Sequence, residues 1–220
     1  MTIFERLLEL IAPHQCLGCG AEGSLLCESC RNAIVPVSSR CYACSHPTDA
    51  YKTCHSCGQA SDLSQVWAAT PYDGLAKELI HKLKFGRAKI AAKDMADIMA
   101  HRIPPGDWLV TYVPTANARV RLRGYDQAQC IAKQLAGMLG LVYTPLLVRQ
   151  GSRRQLGQNR SSRKTQMQTA FRTTWNEIPQ NKPILIIDDV LTTGATLEAA
   201  AHALKSAGAQ NISAAVFAAA

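Results

Sequence analysis

The chain of 220 residues is poor in aromatics, at 6%, and modest in charge, with Asp, Glu, Lys and Arg together at 18%. So few rings leave little for base stacking along a single nucleic-acid strand. No apolar run is long enough to span a bilayer. Ile3 to Ile11 is interrupted by Glu5, Arg6 and Glu9 and lacks the apolar core of a signal peptide. No membrane insertion and a cytoplasmic location are therefore expected. Neither a G-x-G-x-x-G fingerprint nor a P-loop lysine is present, which removes both common nucleotide-binding signatures. After residue 57 cysteine all but disappears. Cys130 stands alone in a helical pattern and reads as a buried core residue.

The other eight cysteines fall before residue 58, as four C-x-x-C pairs: Cys16/Cys19, Cys27/Cys30, Cys41/Cys44 and Cys54/Cys57. Thiolates two residues apart in a tight turn can face one ion, and two such turns complete a tetrahedron. Gly18, Gly20 and Gly58 supply the backbone freedom such knuckles need. Disulfides are disfavoured where thiols stay reduced. Two structural four-cysteine zinc sites are expected. Sequential pairing is simplest: Cys16, Cys19, Cys27 and Cys30 on one ion, and Cys41, Cys44, Cys54 and Cys57 on the other. An interleaved pairing is not excluded by spacing. His46 and His55 are left out, because eight thiolates already fill two sites. The segment has too little apolar sequence to fold without metal.

The net charge of +8 is unevenly placed. Residues 1–60 carry four basic against five acidic side chains, whereas residues 119–164 carry ten basic residues against Asp126 alone. A concentrated basic span argues for a polyanion partner, either a diphosphate or a nucleic acid. Composition changes after Gly58, so a metal module over 1–60 and an α/β domain over 61–220 are expected.

Within the second part, Ile184-Leu-Ile-Ile187 reads as a strand buried on both faces of a parallel sheet. Asp188 and Asp189 follow at its expected C-terminal end. The small, hydroxyl-rich loop Thr192-Thr193-Gly194-Ala195-Thr196 then leads into an alanine-rich helix to about Ser206. Backbone N–H groups of such a loop close around a phosphate, the threonine hydroxyls add donors, and the helix aims its positive end at the same point. The two carboxylates can accept hydrogen bonds from vicinal sugar hydroxyls and hold a divalent cation. A phospho-receiver domain also gathers Asp at strand ends, but it places its acidic pair near the start of the domain.

Earlier in this part a strand over 66–70 and helices from Leu75 and from Ile90 are read, then a strand over 108–113 stopped by Pro114. Arg119, Arg121 and Arg123 alternate, which does not suit one helical face, so a turn or fraying helix start presenting guanidinium groups to phosphate is expected. A helix over 127–139 and a strand from about Leu141 to Val148 follow. Gln150 to Arg163 is a long polar, basic loop of the kind that covers a site.

The Asp188 to Thr196 stretch resembles the phosphoribosyl pyrophosphate (PRPP) motif of type I phosphoribosyltransferases. That resemblance implies that Asp188 and Asp189 bind the ribose 2′- and 3′-hydroxyls and serve catalysis. It also implies that Val190, Leu191, Thr192, Thr193, Gly194, Ala195 and Thr196 form the stretch holding the 5′-phosphate. Pro114 and Thr115, with Ala116, fall where that family carries its pyrophosphate loop, with Arg119 and Arg123 beside it. Tyr72-Asp-Gly-Leu, Leu83-Lys-Phe, Val113-Pro, Arg123-Gly-Tyr-Asp-Gln-Ala, the Gln155 to Arg163 stretch, Ala170-Phe171 and the acidic motif, in this order, look like the ComF/GntX family. The resemblance implies a type I phosphoribosyltransferase-like parallel sheet flanked by helices, behind a cysteine-rich zinc module. It also implies Mg²⁺, PRPP, release of pyrophosphate to an unidentified acceptor and a link to DNA uptake in natural transformation. An alternative is a non-catalytic, PRPP-responsive binder of single-stranded DNA using the 119–164 span. Asp126 departs from the Asn usual after R-G-[FY]; an ionised Asp cannot donate, which removes one anion contact.

Overall fold

A computed structural model describes residues 14–86, 89–150, 170–175, 178–179 and 181–220. The Ile3 to Ile11 segment and nearly all of the basic loop, residues 151–163, lie outside the described residues. Among the described residues, no helix is long and apolar enough to cross a membrane.

The sheet domain is built on five parallel strands in the order β1-β7-β6-β2-β3. These are β1 (Val66–Pro71), β2 (Leu109–Tyr112), β3 (Val142–Tyr143), β6 (Ile184–Leu191) and β7 (Ile212–Ala219). On one face lie α3 (Gly74–Phe85), α4 (Ala91–Ala100) and α6 (Gln127–Leu139), and on the other α7 (Ala195–Ser206). The short helix α5 (Asn117–Arg123) joins β2 to α6. Side chains of a strand alternate between faces. Leu185 and Ile187 of β6 therefore join the core under α3, α4 and α6, while Ile184 and Ile186 join the core under α7. All four are fully buried, as the unbroken apolar run requires.

Three elements differ from the sequence reading. Strand β6 runs through both acidic residues to Leu191, because Asp188, Val190 and Leu191 pair with Val216, Ala218 and Ala219. The single strand expected over 141–148 is two. β3 extends the main sheet, and β4 (Leu147–Arg149) pairs antiparallel with β5 (Phe171–Thr173). Pro145 lies between them, and proline has no N–H to continue a ladder. β7 has no counterpart in the sequence reading, since alanine-rich Ala214, Ala215, Ala218 and Ala219 carry little strand preference.

The eight N-terminal cysteines form two clusters, Cys16/Cys19/Cys27/Cys30 and Cys41/Cys44/Cys54/Cys57, with the four sulfurs of each within 4.8 Å of one another. The sequential pairing is the one the fold makes. Cys19 and Cys27 Sγ are 3.7 Å apart, and Cys44 and Cys54 Sγ 3.6 Å. Four sulfurs about 2.3 Å from a zinc ion would be about 3.8 Å apart, so the donor set fits the metal. The N–H of Cys27 donates to Cys16 Sγ at 3.3 Å, and this bond leads in lowering the Cys16 thiol to about 6, toward the thiolate a metal needs. A Cβ on Gly18 would stand 2.6 Å from Cys30 Sγ, so only glycine passes there. These are two four-cysteine zinc-binding sites.

The module grips both faces of the sheet domain around edge strand β1. Cys16, Leu25 and Leu26 enter the core beneath α3 and α4. Arg31, on the short helix α1 (Glu28–Asn32), pairs with Asp97 at 2.7 Å and Asp94 at 3.4 Å on α4. Burial raises the Asp94 carboxyl, and Arg31 pulls against that rise. The second cluster, which includes α2 (His55–Gly58), lies against α7, and Lys52 bridges to Gln65 just before β1. Stripping zinc from the full chain should unfold the module and lower the Tm of the whole chain by roughly 5 °C or more, because Leu25 and Leu26 leave a shared core. Circular dichroism and a thermal scan before and after chelation check this; an unchanged Tm would count against the shared core.

Candidate functional site

At the C-terminal ends of β1, β2 and β6 a cavity of about 940 Å³ opens, with Asp188 and Asp189 in its wall. Open α/β sheets place ligand sites at this edge. Pro114, Thr115 and Ala116 come from the turn after β2, Arg119 and Arg123 from α5, and Thr196 from the first turn of α7. Lys84, Phe85, Gln127 and Arg149 complete much of the wall. The cavity is thus cationic around a twin-acid floor.

Consecutive residues of a strand face opposite ways, so the two acids have different surroundings. Asp189 is 6% exposed and meets Lys84 of α3 in an ion pair. The oxygen that Lys84 meets is Oδ2, which is itself buried. Asp188 accepts the N–H of Asp189 at 2.8 Å through Oδ1. Burial, with the neighbouring Asp189 charge next in size, holds the Asp188 carboxyl well above its ordinary range.

Of the two forms expected for the alternating arginines, a turn or a fraying helix start, the helical one is found, as the short helix α5. In it Arg119 and Arg123, four residues apart, share a face and line the cavity, whereas Arg121 lies outside that wall. Arg123 is held by Gln127 Oε1 at 2.7 Å and stands 5.5 Å over the ring of Phe85, which is 65% exposed at the cavity mouth. Such bracing fixes a guanidinium for bidentate work on an anion. Lys84, Arg149 and Gln127 escaped the sequence reading of the site. Lys84 stood in the sequence as a helix lysine within Leu83-Lys-Phe with no role assigned, and its reach to Asp189 is a tertiary fact.

The loop after β6 turns at Gly194, with φ 75°, and α7 starts without a side-chain cap. Its first N–H groups therefore lack intrahelical partners. Of this loop only Thr196 joins Asp188 and Asp189 in the cavity wall. Thr192 borders a separate cavity with Cys41 and Tyr42, while Thr193 and Ala195 border another with Tyr42 and Cys57. Val190 packs against the α3/α4/α6 core and Leu191 is buried in the α7 core. Their part is to place the acids.

Asp126 is the N-cap of α6, accepting from Ala128 N at 3.1 Å and Gln129 N at 3.4 Å. It also accepts Thr115 N at 2.7 Å and Thr115 Oγ1 at 3.2 Å. Four donors converge on an acceptor-only side chain, which is why Asp suits this position. The Thr115 N–H is thereby turned from the cavity and locked to α6. Tyr125 is buried, its hydroxyl donating to Leu83 O, and Tyr143 stacks on Tyr112 with centroids 6.3 Å apart. Neither ring of the basic span is a free stacking platform. Cys130 is half-buried rather than fully buried.

Asp126→Ala removes the cap and the Thr115 tie and should cost about 1–2 kcal/mol, read as a Tm loss of roughly 2–8 °C. A raised carboxyl favours folding while protonated. Asp188's contribution is therefore lost as pH rises from the ordinary carboxylate range through its folded value. Asp188→Asn should raise Tm at pH 8, by roughly 2–4 °C per kcal/mol relieved, with the gain shrinking toward pH 4. Thermal scans across that range check the sign.

Residues 123–220 match the family model of the phosphoribosyl transferase domain, and residues 7–58 that of the double zinc ribbon domain. The chain is 26% identical over 195 residues to a protein named Competence protein ComFC of Bacillus subtilis (strain 168), spanning 83% of this chain and 79% of that protein. It is 25% identical over 203 residues to one of the same name from Streptococcus pneumoniae (strain ATCC BAA-255 / R6), spanning 87% of this chain and 86% of that protein. A solved structure described as the allosteric regulatory enzyme of purine biosynthesis aligns with 59% of this chain and only 25% of its own, at 17% identity and a TM-score of 0.41, a likeness too slight to lean on. A double zinc ribbon set before a phosphoribosyl transferase domain, with likeness to two competence proteins along most of the chain, bears out the resemblance to the ComF/GntX family.

Proposed function

We propose that the chain binds PRPP in the 940 Å³ cavity and transfers its phosphoribosyl group to an acceptor, releasing pyrophosphate. The observation that carries this reading is the meeting of Asp188, Asp189 and Thr196 with Lys84, Arg119 and Arg123 in one wall. Asp188 and Asp189 accept from the ribose 2′- and 3′-hydroxyls, and the loop Thr192–Thr196, which enters the cavity wall at Thr196, anchors the 5′-phosphate with its N–H groups. In the reaction the bond from C1 to the diphosphate oxygen breaks and its electron pair leaves with pyrophosphate. A lone pair of the acceptor bonds C1, and the acceptor's proton passes to water. No protein nucleophile is needed.

Lys84, Arg119 and Arg123 neutralise charge gathering on the leaving diphosphate, and fixing the sugar at both ends supplies orientation. Asp188 and Asp189 offer hard oxygens that suit Mg²⁺, which when bound with PRPP supplies further positive charge to the diphosphate. With Thr115 N–H committed to Asp126, the side chains of α5 carry most of the diphosphate contact. The name competence protein in the relatives supports work alongside DNA uptake. A second reading, a PRPP-responsive binder of single-stranded DNA, draws on the exposed Arg119 and Arg121. Within the basic span it finds no open stacking ring among the described residues, since Tyr125 is core and Tyr143 stacks on Tyr112.

Calorimetry with PRPP and Mg²⁺ should give binding that Asp188→Ala/Asp189→Ala weakens about 100-fold or more, two charge-assisted hydrogen bonds being worth ~3 kcal/mol or more together. Equal heats in the two proteins would remove the sugar-phosphate reading. Pyrophosphate release, screened against heteroaromatic bases, amines and single-stranded oligonucleotides, then separates transfer from binding alone.

A further inference from the structure

The second zinc cluster touches the loop that leads into α7, and among the described residues the first cluster packs instead on α4. Tyr42 lies between the ligands Cys41 and Cys44. A Cβ built on Gly194 would stand 2.8 and 2.9 Å from two carbons of the Tyr42 ring, so the ring backs directly onto the turn. Gly194, at φ 75°, is the point where the chain swings from β6 into α7. The Tyr42 hydroxyl donates to Glu198 Oε1, one turn into α7, and shares a hydrogen bond of 2.8 Å with Ser61 Oγ. Glu198 Oε2 accepts the N–H of Asp62 at 3.3 Å, and Asp62 Oδ2 meets His202 Nδ1 at 3.0 Å. The knuckle and the 61–62 segment thus hold the first two turns of α7 through residues that do not line the 940 Å³ cavity.

Tyr42 owes its place to the knuckle. Cys41 is fully buried, its N–H donates to His46 O at 2.8 Å, and its own carbonyl accepts Ser45 N at 2.8 Å. Four thiols within 4.8 Å keep this turn closed only around a cation. The first cluster serves as an internal control. It packs on α4 through Arg31, on the opposite face of the sheet, away from the loop.

We propose that Tyr42 is a positioning residue through which the second zinc cluster sets the phosphate loop, so that zinc in that cluster and sugar phosphate in the loop stabilise each other. The inference rests on the reading above that Thr192–Thr196 takes the 5′-phosphate. It gives the zinc module a role in the site beyond its own folding. Coupling between two sites is reciprocal, so ligand in the loop must protect the metal as strongly as the metal prepares the loop.

The test uses the full chain loaded with two zinc ions and ribose 5-phosphate as probe. Each cluster's metal loss is followed by alkylation of its cysteines in the presence of a chelator, read by mass spectrometry. Saturating probe should slow alkylation of Cys41, Cys44, Cys54 and Cys57 about tenfold and leave the first cluster unchanged. Tyr42→Ala should abolish that protection with two zinc ions still bound, and Tyr42→Phe, which keeps the ring on Gly194, should restore most of it. Equal slowing at both clusters, or protection that survives Tyr42→Ala, would overturn the coupling. A second arm needs no ligand: amide exchange over 192–198 should quicken in zinc-replete Tyr42→Ala, with β7 unaffected. If the wild-type chain binds no ribose 5-phosphate, the PRPP reading fails, and this arm decides alone. Faster exchange then upholds the clamp, and unchanged exchange overturns it.

Discussion

Two carboxylates on consecutive residues of an interior strand are costly, because burial and mutual repulsion both oppose the second charge. Nearly everything around Asp188 and Asp189 answers that cost. Lys84 reaches from α3 to Asp189, Arg119 and Arg123 face the same space from α5, and the first turn of α7 joins the wall at Thr196. Asp188 still has its carboxyl held well above the ordinary range. A cavity balanced in this way favours a ligand that brings hydroxyl donors to the acids and anionic oxygens to the cations. A phosphorylated sugar carrying a diphosphate has both.

The sheet supplies the stiffness such a site needs. Residues Ile184 to Ile187 are locked between two cores, and pairing with β7 carries the strand rigidly past the acids to Leu191. The turn after β2 is fixed just as firmly, since Asp126 binds Thr115 twice while capping α6. That arrangement spends a backbone donor of the Pro114–Ala116 turn on structure. Anion contact shifts toward guanidinium groups, which act over a longer reach than an N–H.

The zinc ribbons belong to the same mechanical unit as the sheet. One cluster is fastened by Leu25, Leu26 and the Arg31 pairs, the other by Tyr42 and the Lys52–Gln65 bridge. Their grips fall on opposite faces of the sheet around strand β1. None of the described residues of this acidic module lines the basic cavity.

Local signals in the chain by themselves determined the parts with short-range causes. The C-x-x-C spacings marked thiolate knuckles, the apolar run before Asp188 marked a buried strand, and Gly194 among threonines marked the turn into α7. Each depends on residues within a few positions of one another, so sequence order carries it. Tertiary structure alone decided what depends on distant approach. It paired the eight cysteines sequentially, split the expected 141–148 strand at Pro145, and made a strand of alanine-rich 212–219 because β6 and β1 lay open on either side. It folded the alternating arginines into a helix, so that Arg119 and Arg123 face the cavity and Arg121 does not. It also brought Lys84 to Asp189 across 105 positions and Tyr42 to Glu198 across 156. No local pattern encodes such contacts, because they arise only when separate elements pack on one sheet.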